Sequence, residues 1–272
     1  METTDKLSDG IRSGEVDVQA LLQDVESFFD VLAKAIPPGD ITVDRRPAPV
    51  RILENVALAQ RTMASVHVLM SATVDNDDYD GTEDATVLVR RLLELLADTY
   101  WITEMGDDPD VQALRSELGD LCGQYELASK YLPADELQEE RAEREQQLAE
   151  IADQIEQVRS QLKAAGRQPK RRQNVTQILE EKDSAQAHYW AFESNVAHLG
   201  VLGRAFQRNG LELGSEAEEW RRRQVVEMAL AIIAEIGGMS MKVIGTPDSL
   251  QDEYRSAVWN LSAFSSVLGE EE

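Results

Sequence analysis

Apolar residues recur at intervals of three and four along most of this chain, which places them on one face of an α-helix. No run of four to eight residues alternates between apolar and polar positions as a half-buried strand does. Clusters such as Pro37-Pro38-Gly39 divide the pattern into segments. The pattern therefore predicts an all-α fold of about nine helices, arranged as a multi-helix bundle.

Three helices are predicted in the first part of the chain. The first spans about 15–35 and ends before Pro37, because proline cannot continue the helical hydrogen-bond ladder. The second begins after Pro49 and reaches about residue 74, and the third runs from Thr82, a predicted N-cap, to about residue 104. The apolar face predicted for the third helix consists of Val87, Leu88, Leu92, Leu95, Leu96 and Ile102.

The most regular apolar pattern lies in the middle of the chain. Two series with 3-4 spacing are joined by a short connection at Leu132-Pro133-Ala134, which favours antiparallel neighbours. The pattern predicts a long antiparallel helical hairpin of coiled-coil type, inserted into the bundle. The seam residues are Val111, Leu114, Leu118, Leu121, Tyr125 and Ala128 in the first arm, and Leu148, Ile151, Ile155, Val158 and Leu162 in the second. Because Glu136–Gln147 is charged on nearly every side, the hairpin is expected to project into solvent near its turn.

The rest of the chain is also predicted to be helical. Gly237-Gly238 is expected to break or kink one of these helices, and a last helix follows Thr246-Pro247. The helices between the hairpin and this glycine pair are predicted over about 175–181, 184–207 and 216–236. The predicted organisation is an N-terminal helix and linker at 1–48, a bundle formed by 49–108 and 173–272, and the inserted hairpin at 109–166.

The charge balance is strongly acidic, with 51 acidic and 27 basic residues and a formal net charge of −24. Such a charge keeps a chain soluble and repels nucleic acid over most of its surface. The single cysteine, Cys122, lies beside the predicted hairpin seam and is interpreted as a small core residue. One thiol, a polar N-terminus and no uninterrupted apolar run of about 18 residues predict a cytoplasmic protein that does not span a membrane.

Positive charge is concentrated in two places. The first is a predicted phosphate-binding cluster of Lys163, Arg167, Lys170, Arg171 and Arg172, and the second is Arg221-Arg222-Arg223. Neither cluster is interleaved with aromatic residues, so neither offers a stacking platform for single-stranded nucleic acid. Salt bridges to the acidic region Glu136–Glu145, within one molecule or between copies, are the alternative.

Two segments carry a resemblance to a known family. The helix from Glu83 to Ile102, with Asp84-Ala85, Arg90, Glu94 and Trp101-Ile102, resembles the "DA-hhhR-hhE … WI" helix of an uncharacterised bacterial and archaeal family of unknown function. Ala187–Gly200 resembles its later "YR-h-S-hVHG" helix, and Arg172–Glu180 fits the segment between them. Such proteins look distantly like the HEPN group of helical bundles, which includes RNA-cleaving toxins and defence proteins. Ala191 stands where the family's arginine is expected, so the resemblance implies no catalytic arginine on the helix of His198.

A HEPN-type ribonuclease needs an arginine four to six residues before a histidine, because the cation offsets phosphoryl charge and the imidazole moves protons. Arg61 and His67 have this spacing. His67 lies among Val66, Leu69 and Met70 on a helix expected to be half-buried. A structural histidine is therefore the alternative to a catalytic one.

A second candidate site combines the two family helices. Arg90 and Glu94 are four residues apart and able to pair on one helix face, and Ser194 and His198 would complete a polar cluster that binds or orients a ligand. A buried polar network that fixes helix register is the alternative. Because the chain has no Glu-x-x-His pair, no His-Glu-x-x-His motif and no cysteine pair, neither a metal site nor a cofactor is predicted.

The acidic loop between the second and third helices has the first half of a calcium-binding loop. Asn76-Asp77-Asp78-Tyr79-Asp80-Gly81 matches the first six positions of an EF-hand, but Val87 stands where the bidentate glutamate belongs. The loop is therefore interpreted as an acidic turn that caps the next helix, with weak cation binding as the alternative.

The sequence as a whole favours an interaction or assembly protein that docks a protein partner or a second copy through the hairpin. A role in stress response or defence is only what the family resemblance implies. The alternative function is that of a HEPN-like RNA-binding protein or metal-independent ribonuclease, which would use Arg61 and His67, or His198 with Arg90.

Overall fold

A computed structural model describes residues 18–36, 47–76, 80–103, 108–130, 138–167, 175, 178 and 215–261. All regular secondary structure among these residues is helical, as the apolar spacing predicts. The seven helices are α1 (Val18–Ala35), α2 (Pro47–Asp75), α3 (Thr82–Thr103), α4 (Pro109–Lys130), α5 (Gln138–Ala164), α6 (Ser215–Ile244) and α7 (Asp248–Trp259). The predicted helices at 175–181 and 184–207 lie outside the described residues, apart from Val175 and Ile178.

The main core lies where α1, α2, α3, α6 and α7 pack together. Helix α3 is central, because it contacts α2, α6 and α4. Its buried face is therefore wider than a single amphipathic stripe, and Val89 and Leu93 are buried within it. The prediction that Val87 belongs to this face is wrong, since its side chain is 58% exposed.

Helix α2 begins three residues earlier than its predicted start, at Pro47 rather than after Pro49. Both prolines therefore lie in its first turn. Proline is tolerated there because the first backbone N–H groups of a helix have no intrahelical acceptor.

Helix α6 continues through Gly237-Gly238 to Ile244, so the predicted break at this glycine pair is wrong. Gly237 is required by close packing instead of by a turn. A Cβ at this position would collide with the Tyr254 hydroxyl and lie 2.9 Å from Leu32 Cδ1. The same Tyr254 hydroxyl donates a 2.8 Å hydrogen bond to the Ala234 carbonyl, and its ring meets Phe28 edge-on at 6.0 Å.

A second apolar cluster joins α4 and α5 to the bundle, and α4 and α5 pack against each other. It combines Ile52 and Trp101 with the seam residues Val111, Leu118, Leu121, Ile155, Val158 and Leu162. Farther from the bundle the seam is less covered, since Leu148 and Ile151 are half-buried and Tyr125 is 40% exposed. The start of α4 and the end of α5 therefore anchor the pair, while their other ends extend away from the core. Its coiled-coil packing stays a prediction.

One segment, Glu219–Ile244 within α6, is long and apolar enough to cross a membrane by length and composition alone. Of its most apolar window, 61% is buried inside the protein. A helix in the middle of a bundle core meets the same criterion, because it is apolar on nearly every side.

Candidate functional site

The candidate site is an open groove between α4 and α5, which we call the arm groove. It has a volume of about 380 Å³ and lies beyond the part of the seam that the bundle covers. Its lining consists of Cys122, Tyr125, Glu126, Ser129 and Lys130 from α4, and of Ala152, Ile155, Glu156 and Arg159 from α5. More of this surface is apolar than polar, and a docked side chain would remove it from water.

Each side of the arm groove carries one ion pair along its own helix. Lys130 pairs with Glu126 on α4, and Arg159 pairs with Glu156 on α5. The groove is therefore balanced in charge, although the whole chain carries −24. Arg159 also holds a buried Nε that has no hydrogen-bond partner in the part of the chain that the structure describes. An acceptor brought by a docked molecule would satisfy this donor.

Cys122 lies at the inner end of the arm groove, half-buried beside the second apolar cluster. It is therefore less enclosed than a residue of the main core. Because the chain has one cysteine, this thiol reports specifically on whether the groove is open or covered.

A polar cluster that is buried around Asp98 and reaches the surface at Asp120 fixes the base of the arm. Arg51 on α2 donates two hydrogen bonds to Asp98 on α3, from Nε at 2.9 Å and from Nη2 at 3.0 Å. Arg51 Nη1 also pairs with Asp120 on α4. Asn55 Nδ2 donates to Asp98 Oδ2 at 3.0 Å, and lies 3.3 Å from Thr99 Oγ1. One guanidinium thus connects three helices.

The chain makes room for this guanidinium at Gly119 on α4. A Cβ at Gly119 would lie 3.2 Å from Arg51 Nη1, tighter than an ordinary contact. Burial by itself would lower the pKa of Arg51, but the hydrogen bond with Asp98 and the nearby carboxylates outweigh it and raise that pKa. Because two carboxylates already bind this cation, the cluster is suited to holding helices together, not to binding an anion.

Two further polar contacts involve α3. The Arg115 guanidinium on α4 stacks 4.9 Å from the Trp101 ring centroid and donates a 3.0 Å hydrogen bond to the Trp101 carbonyl. The Tyr100 hydroxyl donates to the carboxylate of Glu235 on α6. Burial, and after it the Glu235 charge, raise the pKa of Tyr100 above its ordinary value. These contacts explain why a tryptophan and a tyrosine stand near the end of α3.

Sequence reasoning missed the Arg51 cluster. Asp98 interrupts an apolar stretch of α3, and a carboxylate in a buried stretch signals a partner of opposite charge. That signal was present in the sequence, but it does not identify which of the many arginines is the partner.

His67 lies on α2 with its side chain 22% exposed, and its Nε2 is 3.6 Å from a carboxylate oxygen of Glu26 on α1. Arg61 is exposed on the same helix. A separation of six residues turns a helix by about 240°, so their Cα–Cβ directions differ by about 120°. The two side chains therefore leave α2 in different directions, and the Arg61–His67 catalytic pair stays a prediction.

Glu94 on α3 accepts a 2.7 Å hydrogen bond from Arg91, three residues before it, on the outer part of the helix. Arg90 is half-buried on the same helix. Ser194 and His198 lie outside the described residues, so the predicted four-residue cluster stays a prediction.

In the first basic cluster, Lys163 is exposed at the end of α5 and Arg167 is half-buried just after it. The other three members, Lys170, Arg171 and Arg172, lie outside the described residues.

The three arginines of α6 face carboxylates. Arg221 lies 2.8 Å from Glu83, Arg222 lies 3.9 Å from Asp80, and Arg223 lies 3.7 Å from Glu227. These pairs leave less positive charge for a phosphate than the sequence suggests.

The acidic loop caps α3, as the sequence indicates, and Asp80 supplies the acceptor. Asp80 Oδ1 accepts hydrogen bonds from the Thr82 backbone N–H at 3.0 Å and from its hydroxyl at 2.5 Å. Burial opposes ionisation of Asp80, but the Thr82 hydrogen bonds and the charges of Arg222 and Arg221 lower its pKa overall. The cap is thus the Asp80 carboxylate, and Thr82 is the first helical residue.

Comparisons of the chain with models of known protein families, with curated proteins and with solved structures find no match. The family resemblance therefore stays a prediction from the quoted motifs.

Proposed function

We propose that this protein is a helical interaction and assembly protein, and that the arm formed by α4 and α5 is its docking surface. The observation that carries the proposal is the opening of the apolar seam into the arm groove, with Tyr125 40% exposed. Seam spacing of three and four normally faces a partner helix. The apolar spacing continues beyond Leu121 on α4 and beyond Ile155 on α5, whereas the bundle no longer covers the seam there.

The base of the arm supports this role. Arg51 ties α4 to α2 and α3 through Asp120 and Asp98, and Arg115 is stacked on Trp101. A docking surface that is already ordered loses less conformational entropy when it binds. The buried base thus holds the arm in place while its groove remains open.

The test measures how fast the Cys122 thiol reacts with a cell-permeant maleimide, in native cells and in the dilute purified protein. Unfolded protein in urea gives the rate of the fully open thiol. We expect the rate in cells to be at least about tenfold lower than in the purified protein, because a docked macromolecule excludes the reagent. Equal rates in both settings would contradict a docking role for the arm groove.

A matched pair of variants assigns the protection to the groove. Ala152→Arg places a long side chain in the groove, whereas Gln157→Arg places the same side chain on an exposed part of α5 outside the groove lining. Each variant is compared with its own purified protein, so that shielding by the new side chain cancels. Ala152→Arg should abolish the difference between cells and purified protein, and Gln157→Arg should keep it.

The setting we propose for this interaction is the cytoplasm, because the chain has one cysteine and so no internal disulfide to protect. A stress or defence role rests on the family resemblance alone. The alternative of a HEPN-like RNA-binding protein or ribonuclease rests on residue spacing, and no contact among the described residues favours it over docking.

A further inference from the structure

The charges beside the arm groove form a pattern that can pair with itself. On α4, Glu126 and Lys130 lie two residues before and two residues after Ala128. A two-fold axis that crosses α4 at Ala128 would place a second α4 antiparallel to the first. Glu126 of each copy would then face Lys130 of the other, which gives two attractive contacts from one pair of residues.

Helix α5 repeats this pattern at a longer spacing. Glu145 and Arg159 lie seven residues before and seven residues after Ala152, and seven residues are close to two helical turns. The three residues therefore lie along one face of α5, and Ala152 and Arg159 line the groove. A two-fold axis at Ala152 would bring Arg159 of each copy to Glu145 of the other, and the small Ala152 side chains allow the helices to approach closely.

We propose that the arm groove is covered by the arm groove of a second copy of this chain, in an antiparallel, two-fold arrangement that forms a four-helix bundle. This inference rests on the proposed function and names the partner. The apolar floor of Tyr125 and Ile155 would be buried on both sides. The buried Nε of Arg159, for which the described residues provide no acceptor, would also gain the Glu145 carboxylate of the second copy.

Charge explains why a second copy fits better than an arbitrary partner. Two molecules that each carry −24 repel one another over most of their surfaces. The arm groove avoids this repulsion, because each side of it holds one carboxylate and one cation. In a two-fold interface the same surface meets its own copy, so its charges must be arranged to attract themselves. A different partner would require only charges of opposite sign.

The experiment measures self-association of the full-length chain by sedimentation equilibrium over a wide concentration range. Glu126→Lys makes the α4 side of the groove wholly basic, and Lys130→Glu makes it wholly acidic. In either homodimer two attractive contacts become like-charge contacts, so the association constant should fall by about tenfold or more. Mixing the two variants should restore wild-type association, because each basic pair then meets an acidic pair.

Matched controls come from the exposed Asp252–Arg255 ion pair on α7, away from the groove. Asp252→Lys and Arg255→Glu change the net charge by the same amounts and should leave association as in the wild type. Wild-type protein that stays monomeric throughout, groove variants that associate as the controls do, or a mixture that fails to restore association would each overturn the inference.

The thiol assay separates this inference from the proposed function. If a second copy covers the groove, Cys122 in purified protein becomes protected as the concentration rises, in parallel with dimer formation. Protection in cells, combined with an open thiol in concentrated purified protein, would identify another macromolecule as the partner. That result would overturn the inference and leave the proposed function standing, whereas an open thiol in both settings would defeat both.

Discussion

The Arg51 cluster predicts that two chemically identical substitutions have very different costs. Asp98 and Asp120 both bind the Arg51 guanidinium, but their side chains are 5% and 55% exposed. Asp98→Asn removes the charge and replaces one acceptor oxygen with an NH2 group that faces donors from Arg51 or Asn55. Asp120→Asn makes the same change where water can replace the lost interaction.

The magnitudes follow from this difference in burial. Breaking a buried ion pair costs about 3–5 kcal/mol, and we expect the lower end for Asp98→Asn because Asp120 still offsets part of the Arg51 charge. An exposed pair such as that of Asp120 contributes less than about 1 kcal/mol. For a chain of this size, a loss of about 3 kcal/mol lowers the midpoint of thermal unfolding by roughly 6–12 °C.

The assay is thermal and urea unfolding of the full chain, followed by far-ultraviolet circular dichroism. Asp98→Asn should lower the midpoint by several times the shift of Asp120→Asn, with an unchanged urea dependence of the free energy. Equal shifts in the two variants would refute the reasoning, since they would show that Asp98 is no better shielded from water than Asp120.

The other predictions concern packing, pH dependence and the alternative function. Gly237→Ala should destabilise the protein by at least about 1–3 kcal/mol in urea unfolding, because the new Cβ collides with the tyrosine hydroxyl of α7. The new Cβ of Gly238→Ala has only a 4.0 Å contact, so this variant should gain up to about 1 kcal/mol of helix propensity. Equal effects of the two substitutions would contradict the close approach at Gly237. Because the pKa of Asp80 is lowered in the folded protein, its carboxylate stabilises the fold above its unfolded pKa of about 4. This contribution is lost as the pH falls through the folded pKa. Asp80→Asn should therefore weaken the dependence of unfolding on pH below about pH 4. Incubation with labelled RNA in EDTA tests the ribonuclease alternative: cleavage or binding that disappears in His67→Ala or His198→Ala would support it, and identical behaviour of wild type and both variants would count against it.

Periodicity predicted most of the described helices well, because it depends on the geometry of one helix at a time. The start of α3 at Thr82 and the end of α1 before Pro37 were set by local signals, a capping carboxylate and a proline. Gly237-Gly238 was misread because a glycine pair looks the same whether it ends a helix or admits a close neighbour. Only the position of Tyr254, which the chain supplies from the next helix, decides between the two.

The candidate site was harder to predict for the same reason. The seam residues were identified from spacing, but spacing alone does not show where the bundle stops covering them. That boundary is set by tertiary contacts, which bury Leu118 and Leu121 and leave Tyr125 exposed. The partners of Arg51 and Arg221 likewise depend on which helices meet, because the sequence offers more carboxylates than either arginine can bind.

The contrast between the two halves of the arm connects stability with function. At the base, apolar side chains and the Arg51–Asp98 ion pair are shielded from water, so opening this part would expose apolar surface and separate helices that one guanidinium connects. Beyond it, the Lys130–Glu126 pair of the groove is exposed, and breaking it costs less than about 1 kcal/mol. Lys130 can therefore exchange its carboxylate partner within the helix for one of a docked molecule at little cost, while α4 stays fixed at its base. A variant that loosens the base, such as Asp98→Asn, should lower the unfolding midpoint and also weaken docking. A groove variant such as Lys130→Glu should weaken docking while its unfolding midpoint, measured at concentrations too low for association, stays nearly unchanged. If both variants lowered the docking affinity and the unfolding midpoint together, the base and the groove would not be separable in function.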